Sequence, residues 1–341
     1  MRAAVIVKVD APVEIHDVEL TPLQVGQVKV RIIVSGLCGS QLQELSGLKG
    51  NAKFMPHLFG HEGCGIVEEV GAGVTKVKVG DKVVMHWRIG AGIESPFPSY
   101  VLNGKSMTSG KVTTLSEYSI VSENRLTAVP SDTPEDLCAL LGCGLTTALG
   151  TITNEAELKF GESVMVIGCG GVGLNLIQGA KMASAYPIIA VDVADEKKDL
   201  CLKMGASSFI NSRKESVKTA LNTNKVDVIM DASGCADVVG NSIEFLSDRG
   251  RYIIVGQFKP EEKLNGIHAN TLFLGQGKTI KATQGGKTNP QEDIARYVKL
   301  HKAGLLNIRG LVTHEFPLTD INKAVETLRS GKVGRILIRM N

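Results

Sequence analysis

A glycine-rich turn with the pattern Gly-x-Gly-x-x-Gly, at residues 168–173, most constrains the fold of this 341-residue chain. It follows a short apolar run and opens a helical stretch. In that context Gly168 makes the turn, Gly170 lets the backbone approach a pyrophosphate, and Gly173 lets helix and strand pack closely. We predict a dinucleotide at the helix N-terminus. The predicted contacts in this turn include Gly168, Gly170, Gly171 and Gly173.

A carboxylate beyond this turn indicates which dinucleotide binds. Asp192 ends the next apolar run, at about the 20-residue spacing of dinucleotide sites. A carboxylate there can bind both hydroxyls of the adenosine ribose, and its charge would repel a 2′-phosphate, so the sequence favours NAD over NADP. The alternative is that Asp192 is an ordinary cap at the end of a strand.

The pattern of apolar residues divides the chain in two. From residue 163, apolar strands alternate with helical stretches, which is typical of a parallel sheet covered by helices. Up to about residue 145, short β-type runs are separated by Gly and Pro and indicate a partly antiparallel β domain. The predicted fold class is α/β with a doubly wound parallel sheet. Its strands are predicted at 163–167, 188–192, 207–210, 226–231, 251–255 and 279–281.

Two cysteines and a histidine lie in glycine-flanked motifs ahead of the turn: Cys38, His61 and Cys143. A single buried thiol or imidazole is more often part of a core. Two thiolates and one imidazole together leave a tetrahedral zinc with one open position, where a substrate oxygen can bind. The three residues therefore predict a catalytic zinc.

These motifs, in this order, closely resemble the zinc-dependent alcohol dehydrogenases of the medium-chain dehydrogenase/reductase family. The resemblance runs essentially from end to end of the chain. It implies a GroES-like catalytic domain at residues 1–145 and 288–341, and a Rossmann NAD-binding domain at 146–287. It also implies that a hydride passes between a secondary alcohol and NAD, with one catalytic zinc in each chain.

The resemblance assigns roles to single residues. Ser40 matches a hydroxyl in the substrate pocket that receives the proton of the alcohol; its other interpretation is a helix N-cap for residues 41–45. Glu62 is expected to lie close behind the metal and to assist exchange of the fourth ligand. The further cofactor contacts that the resemblance implies are Thr147, Val172, Lys197, Val255 and Arg335.

Two positions depart from the pattern of many relatives. Gln41 stands where they carry an aspartate, and it adds no negative charge behind a ligand histidine. Gln43 stands where they carry a proton-relaying histidine, and it cannot titrate. We expect proton release through Ser40, ribose hydroxyls and water. The same substitutions leave open a catalytically silent NAD-binding structural or regulatory protein.

Residues 85–117 contain no cysteine, whereas classical members carry four closely spaced cysteines that hold a structural zinc. We therefore expect no structural zinc.

Trp87, the only tryptophan, stands at the substrate-pocket position. An indole flanked by His86 and Arg88 suits a ring-shaped polyol, cyclitol or sugar, and the alternative is a hydrophobic plug that fixes the loop. A small-alcohol or aldehyde dehydrogenase with the same mechanism, or a zinc-free quinone reductase, remains open.

Composition excludes other classes. There are 38 basic and 35 acidic residues with no basic block, so we expect no nucleic-acid partner. No signal sequence or long apolar run appears, which favours a cytoplasmic protein without membrane contact. Seven unevenly spaced cysteines indicate reduced thiols. By resemblance, an edge strand at 279–281 predicts a homodimer or homotetramer.

Overall fold

The computed structural model describes residues 1–340, which form two compact units. Unit 1 comprises residues 1–146, 289–330 and the C-terminal residues from 335, and unit 2 comprises 147–288 and 331–334. Among the described residues, no single helix is long and apolar enough to cross a membrane. Two short stretches, Glu135–Leu141 and Gly144–Glu155, reach that length and hydropathy only when taken together across a 59° bend.

Strands and helices are numbered in chain order. The strands are β1 (Arg2–Ile6), β2 (Glu14–Asp17), β3 (Glu19–Leu20), β4 (Gln27–Leu37), β5 (His57–Leu58), β6 (Glu62–Val70), β7 (Lys82–His86), β8 (Ser99–Leu102), β9 (Lys105–Thr108), β10 (Tyr118–Ser122), β11 (Leu126–Val129), β12 (Val164–Ile167), β13 (Ile188–Asp192), β14 (Ser208–Asn211), β15 (Val226–Asp231), β16 (Leu246–Ile254), β17 (Thr279–Ala282), β18 (Val312–Pro317) and β19 (Arg335–Arg339). The helices are α1 (Gly39–Leu45), α2 (Glu135–Leu141), α3 (Gly144–Gly150), α4 (Gly171–Met182), α5 (Lys198–Met204), α6 (Val217–Leu221), α7 (Ala236–Ser242), α8 (Ala269–Leu274), α9 (Pro290–Lys302) and α10 (Ile321–Arg329).

Unit 1 is built on a sheet in the order β11-β7-β6-β4-β19-β18, with β10 also paired to β4. All its pairs are antiparallel except β18 with β19. In β4, Val28, Val30 and Ile32 are at most 3% exposed, while Arg31 between them faces solvent. This period of two places one face of the strand on the core. The last strand, β19, brings the C-terminus back beside β4.

Unit 2 holds six parallel strands in the order β14-β13-β12-β15-β16-β17. The predicted fold class is confirmed, and β13 and β15 have the predicted bounds. Strand β16 begins at Leu246 rather than at residue 251. The apolar pattern of this strand is interrupted by Asp248, Arg249 and Gly250, and Arg249 has a φ of 60°. The first half of the strand therefore could not be predicted from the sequence pattern.

Candidate metal and dinucleotide sites

Three potential metal ligands converge in unit 1. The sulfur atoms of Cys38 and Cys143 and a ring nitrogen of His61 lie within 4.8 Å of one another. Cys38 is the N-cap of α1, His61 immediately precedes β6, and Cys143 lies between α2 and α3. Zinc with bonds of about 2.0–2.3 Å separates tetrahedral ligand atoms by roughly 3.4–3.8 Å. Both the spacing and the donor types therefore fit zinc.

Hydrogen bonds among these side chains shift their proton affinities. The bond with the Cys143 thiol lowers the pKa of Cys38 well below its ordinary value, and the same bond raises the pKa of Cys143 well above its own. Burial lowers the pKa of His61, but the hydrogen bond to Cys38 and the charges of Cys38 and Glu62 together outweigh burial and raise it. The thiol of Cys143 and the imidazole of His61 therefore gather around the thiolate of Cys38, and a metal bound here would displace their protons, because zinc ligands are deprotonated.

Glu62 supports this cluster. Its fully buried carboxylate forms an ion pair with Arg335 of β19. Its Oε2 also accepts the N–H of Gly144 at 3.4 Å, directly after Cys143. The carboxylate needs glycine at position 36, because a Cβ on Gly36 would lie 2.6 Å from Glu62 Oε1. Beside the metal cluster, Glu62 thus joins Arg335 of β19 to Gly144, two positions that are far apart in sequence.

The two partners of this buried pair differ in how burial affects their charge: burial raises the pKa of Glu62 despite the charge of Arg335, whereas Arg335 stays charged. Burial lowers the pKa of the Arg335 guanidinium, but the charges of Glu62, Cys38 and Cys143 together outweigh burial and raise it. Contact of Arg335 with a pyrophosphate stays a prediction, whereas its partner in the structure is Glu62.

A capping box fixes the loop of Cys38. The N-cap of α1 is Cys38 and not Ser40, so the N-cap interpretation of Ser40 is wrong. The Cys38 side chain accepts the N–H of Gln41, and Gln41 Oε1 accepts the N–H of Cys38 at 2.7 Å. These reciprocal bonds satisfy donors at the helix start. Gln41 therefore acts on the Cys38 segment, and Ser40 lies half-buried in the first turn.

In unit 2 the glycine-rich turn joins β12 to α4. Gly168 has a φ of 82°, and a Cβ there would lie 2.7 Å from the nitrogen of Ser233. A Cβ on Gly173 would lie 1.9 Å from the carbonyl oxygen of Gly168, whereas one on Gly170 would meet no atom within 4 Å. Open space therefore remains beside Gly170, at the N-terminus of the 12-residue helix α4. This arrangement suits a pyrophosphate.

Asp192 lies beside that turn and accepts four hydrogen bonds. Its Oδ2 accepts the N–H of Cys169 at 2.6 Å and the ammonium of Lys197 at 3.0 Å. Its Oδ1 accepts the N–H groups of Val193 at 2.7 Å and Ala194 at 3.0 Å. The carboxylate therefore caps the chain after β13 and also links the glycine-rich turn to Lys197. Three other predicted contacts, all half-buried in unit 2, are Thr147, Val172 and Val255.

Trp87 lies just beyond β7 and is half-buried. Its carbonyl accepts a hydrogen bond from Arg125, and the guanidinium of Arg88 lies 5.5 Å from its ring centroid. His86 is 1% exposed, and its ring nitrogens bond to the Arg88 carbonyl at 2.8 Å and the Thr127 hydroxyl at 2.9 Å. Burial lowers the pKa of His86 to about 4. Unlike the flanking group that we expected, His86 is a neutral core residue.

Comparison with known proteins identifies the family. Residues 24–131 match the family model described as "Alcohol dehydrogenase GroES-like domain", and residues 171–303 match the model described as "Zinc-binding dehydrogenase". Alcohol dehydrogenase 1 of Trifolium repens is 30% identical, with 99% of this chain and 97% of that protein covered. The S-(hydroxymethyl)glutathione dehydrogenase of Synechocystis sp. is 31% identical, with 99% of each covered. The chain belongs to the zinc-dependent alcohol dehydrogenases.

Solved structures agree with this assignment. A zinc-binding-domain alcohol dehydrogenase protein from Burkholderia ambifaria has a TM-score of 0.91 and 28% identity, over 100% of this chain and 98% of that one. Benzyl alcohol dehydrogenase from Acinetobacter calcoaceticus has a TM-score of 0.89 and 25% identity, over 100% and 99%. The predicted superfamily and enzyme class are confirmed: this dehydrogenase is an oxidoreductase of the class that acts on CH–OH groups with NAD.

Removal of one metal ligand tests the site. Cys143→Ala should prevent stoichiometric zinc binding, because only two of the three converging donors remain. The measurement is zinc content after dialysis, and Cys235→Ala, which removes an exposed thiol, is the matched control. We expect one zinc per chain in the wild type and in the control. Full retention of zinc by Cys143→Ala would reject the site, and two zincs in the wild type would reject the expected absence of a structural zinc.

Proposed function

We propose that this dehydrogenase transfers a hydride between NAD and a secondary alcohol of the sugar, polyol or cyclitol type. The convergence of Cys38, His61 and Cys143 carries the reaction type, in a chain that also has the glycine-rich turn. These three residues would hold one catalytic zinc per chain, which when bound supplies a Lewis acid for an alcohol or carbonyl oxygen. A catalytically silent protein would have no need of this ligand set.

We assign proton transfer to Ser40. A serine hydroxyl can accept one hydrogen bond and donate another through the same oxygen, so it can pass on a proton. Ser40 stands two positions after Cys38. Gln43 cannot titrate, so the proton would pass from Ser40 Oγ to water or to the ribose hydroxyls of a bound cofactor. Glu62 holds the Cys143 segment in place through Gly144 and assists exchange at the open position.

We assign cofactor choice to Asp192 and Lys197. The carboxylate would exchange bonds to its own backbone for bonds from the ribose hydroxyls, and it would repel a 2′-phosphate. The pyrophosphate would occupy the open space beside Gly170. The remaining assigned contacts are Thr147, Val172 and Val255 for the nicotinamide and Arg335 for the pyrophosphate.

The substrate class rests on Trp87 and Arg88. An indole offers an apolar face to the C–H groups of a ring, and a guanidinium offers donors to its hydroxyls. The alternative is a small-alcohol or aldehyde dehydrogenase with the same mechanism, and the name of one similar structure, a benzyl alcohol dehydrogenase, supports it.

A substrate panel separates the two. NADH formation by the zinc-loaded protein should be confined to ring-shaped hydroxylated compounds rather than short alcohols. Trp87→Ala should raise KM for that substrate roughly 5- to 30-fold, for a loss of about 1–2 kcal/mol of contact, without changing the Kd for NAD. Phe160→Ala is the control, since Phe160 is an exposed aromatic residue in unit 2, whereas Trp87 lies in unit 1. Preference for short alcohols, or an unchanged KM, would overturn this substrate class.

We also propose a homodimer or homotetramer that pairs through β17. This strand ends the sheet of unit 2, and an edge strand presents unpaired backbone groups. Shortly before it, Phe273 and Leu274 of α8 are 79% and 72% exposed, as interface residues of an isolated chain would be.

A charge at this surface tests the oligomer. Phe273→Glu should lower the molar mass in solution toward that of one chain, because a carboxylate would have to lose its water on association. Light scattering after size exclusion gives the mass. Phe160→Glu changes another phenylalanine, 86% exposed, and should leave the mass unchanged. A wild-type monomer would refute the proposal.

A further inference from the structure

Charged side chains hold the irregular segment 87–98 between β7 and β8. Arg125 Nη2 donates to both carboxylate oxygens of Glu94, at 3.0 and 3.2 Å. Lys111 Nζ lies 3.0 Å from the same carboxylate and donates to the carbonyl of Ser95 at 2.9 Å. Two cations thus share one anion, and all three groups lie within unit 1. We call Glu94, Arg125 and Lys111 the ionic network.

Arg125 connects this network to Trp87. Its Nη1 donates to the carbonyl of Trp87 while its Nη2 binds Glu94. A guanidinium presents its donors in a rigid fork, so one group can hold a carbonyl and a carboxylate together. The Arg125 side chain is 10% exposed and that of Glu94 is 37% exposed, so water screens the guanidinium less than the carboxylate. The backbone position of Trp87 therefore depends on where Glu94 holds Arg125.

Glu123 fixes the next part of the same segment. Its fully buried carboxylate accepts the N–H of Ile93 at 2.8 Å through Oε2. Its Oε1 accepts the N–H groups of Thr75 and Lys76. Backbone without regular structure must find partners for its polar groups, and here one carboxylate supplies three of them. The segment is thus held on both sides of Glu94, at Ile93 by Glu123 and at Ser95 by Lys111.

Glu94 stays ionised under ordinary assay conditions. Burial raises its pKa, but hydrogen bonds from Arg125, Asn124 and Lys111 outweigh burial and lower it to about 2. The stability that this carboxylate contributes is present above its unfolded pKa and is lost only as the pH falls toward 2. A change of buffer within the neutral range therefore leaves Glu94 charged.

We infer that Arg125, anchored by Glu94 and Lys111, is a positioning residue that fixes Trp87, and that ion pairs organise this segment without a metal. The resulting effect on substrate binding rests on the proposed contact between Trp87 and the substrate. The effect on the position of Trp87 does not. The inference therefore predicts two separable results, one spectroscopic and one kinetic.

The fluorescence of Trp87 measures its position, because the chain has no other tryptophan. Arg125→Gln removes the charge and the fork. We expect emission at longer wavelength, stronger quenching by acrylamide, and a KM for the alcohol raised about tenfold. The Kd for NAD and the zinc content should not change. Arg31→Gln is the control: it breaks an exposed ion pair with Glu68, 2.9 Å long in the same unit, and should change none of these.

Glu94→Gln is the second variant and decides the matter if Arg125→Gln does not fold. It should shift the emission of Trp87 in the same direction but by a smaller amount, since Arg125 keeps its hydrogen bond to the Trp87 carbonyl. Unchanged emission and quenching in the folded variants would overturn the inference. A spectral shift with unchanged KM would support the positioning role and reject the proposed substrate contact of Trp87.

Discussion

The ion pair between Glu62 and Arg335 is the interaction on which the metal cluster depends most. It joins β6, which follows His61, to β19 near the C-terminus, and through Gly144 it reaches the segment of Cys143. Breaking a buried pair by removing one partner costs about 3–5 kcal/mol. Domains have about 5–15 kcal/mol of net stability, so that cost is a large share. Cys38, His61 and Cys143 all precede residue 144, yet the position of the Glu62 carboxylate beside them depends on Arg335, near the C-terminus.

Two neighbouring parts of unit 1 are ordered by different means. At Cys38, His61 and Cys143 the donors suit a cation, and buried bonds from Gln41 and Glu62 fix the backbone around them. In segment 87–98 the anchors are carboxylates that bind cations and backbone N–H groups.

Much of this could be predicted from sequence, because the signals were local. The glycine-rich turn sits between a strand and a helix, and steric limits at Gly168 and Gly173 leave no other residue type room. The parallel strands of unit 2 are continuous apolar runs, so their bounds were nearly right. The family resemblance predicted that Cys38 and Cys143 share one site, although 105 positions separate them in the sequence.

The errors have a common cause, which is that side-chain partners depend on tertiary packing. The Ser40 hydroxyl, two positions after Cys38, suggested an N-cap, but α1 begins two residues earlier than predicted and its N-cap is Cys38. His86 looked available to a substrate, but its register opposite Glu62 in β6 and β7 buries it. Nothing in the spacing of Glu94 and Arg125 indicated a bond across 31 positions.

The central claim is that Cys38, His61 and Cys143 hold zinc and leave one position open. X-ray absorption at the zinc edge of the loaded protein tests it most directly. The account predicts two sulfur neighbours at about 2.3 Å and two nitrogen or oxygen neighbours at about 2.0–2.2 Å, one from His61 and one exchangeable. A shell without sulfur, or one with a single sulfur, would contradict the claim.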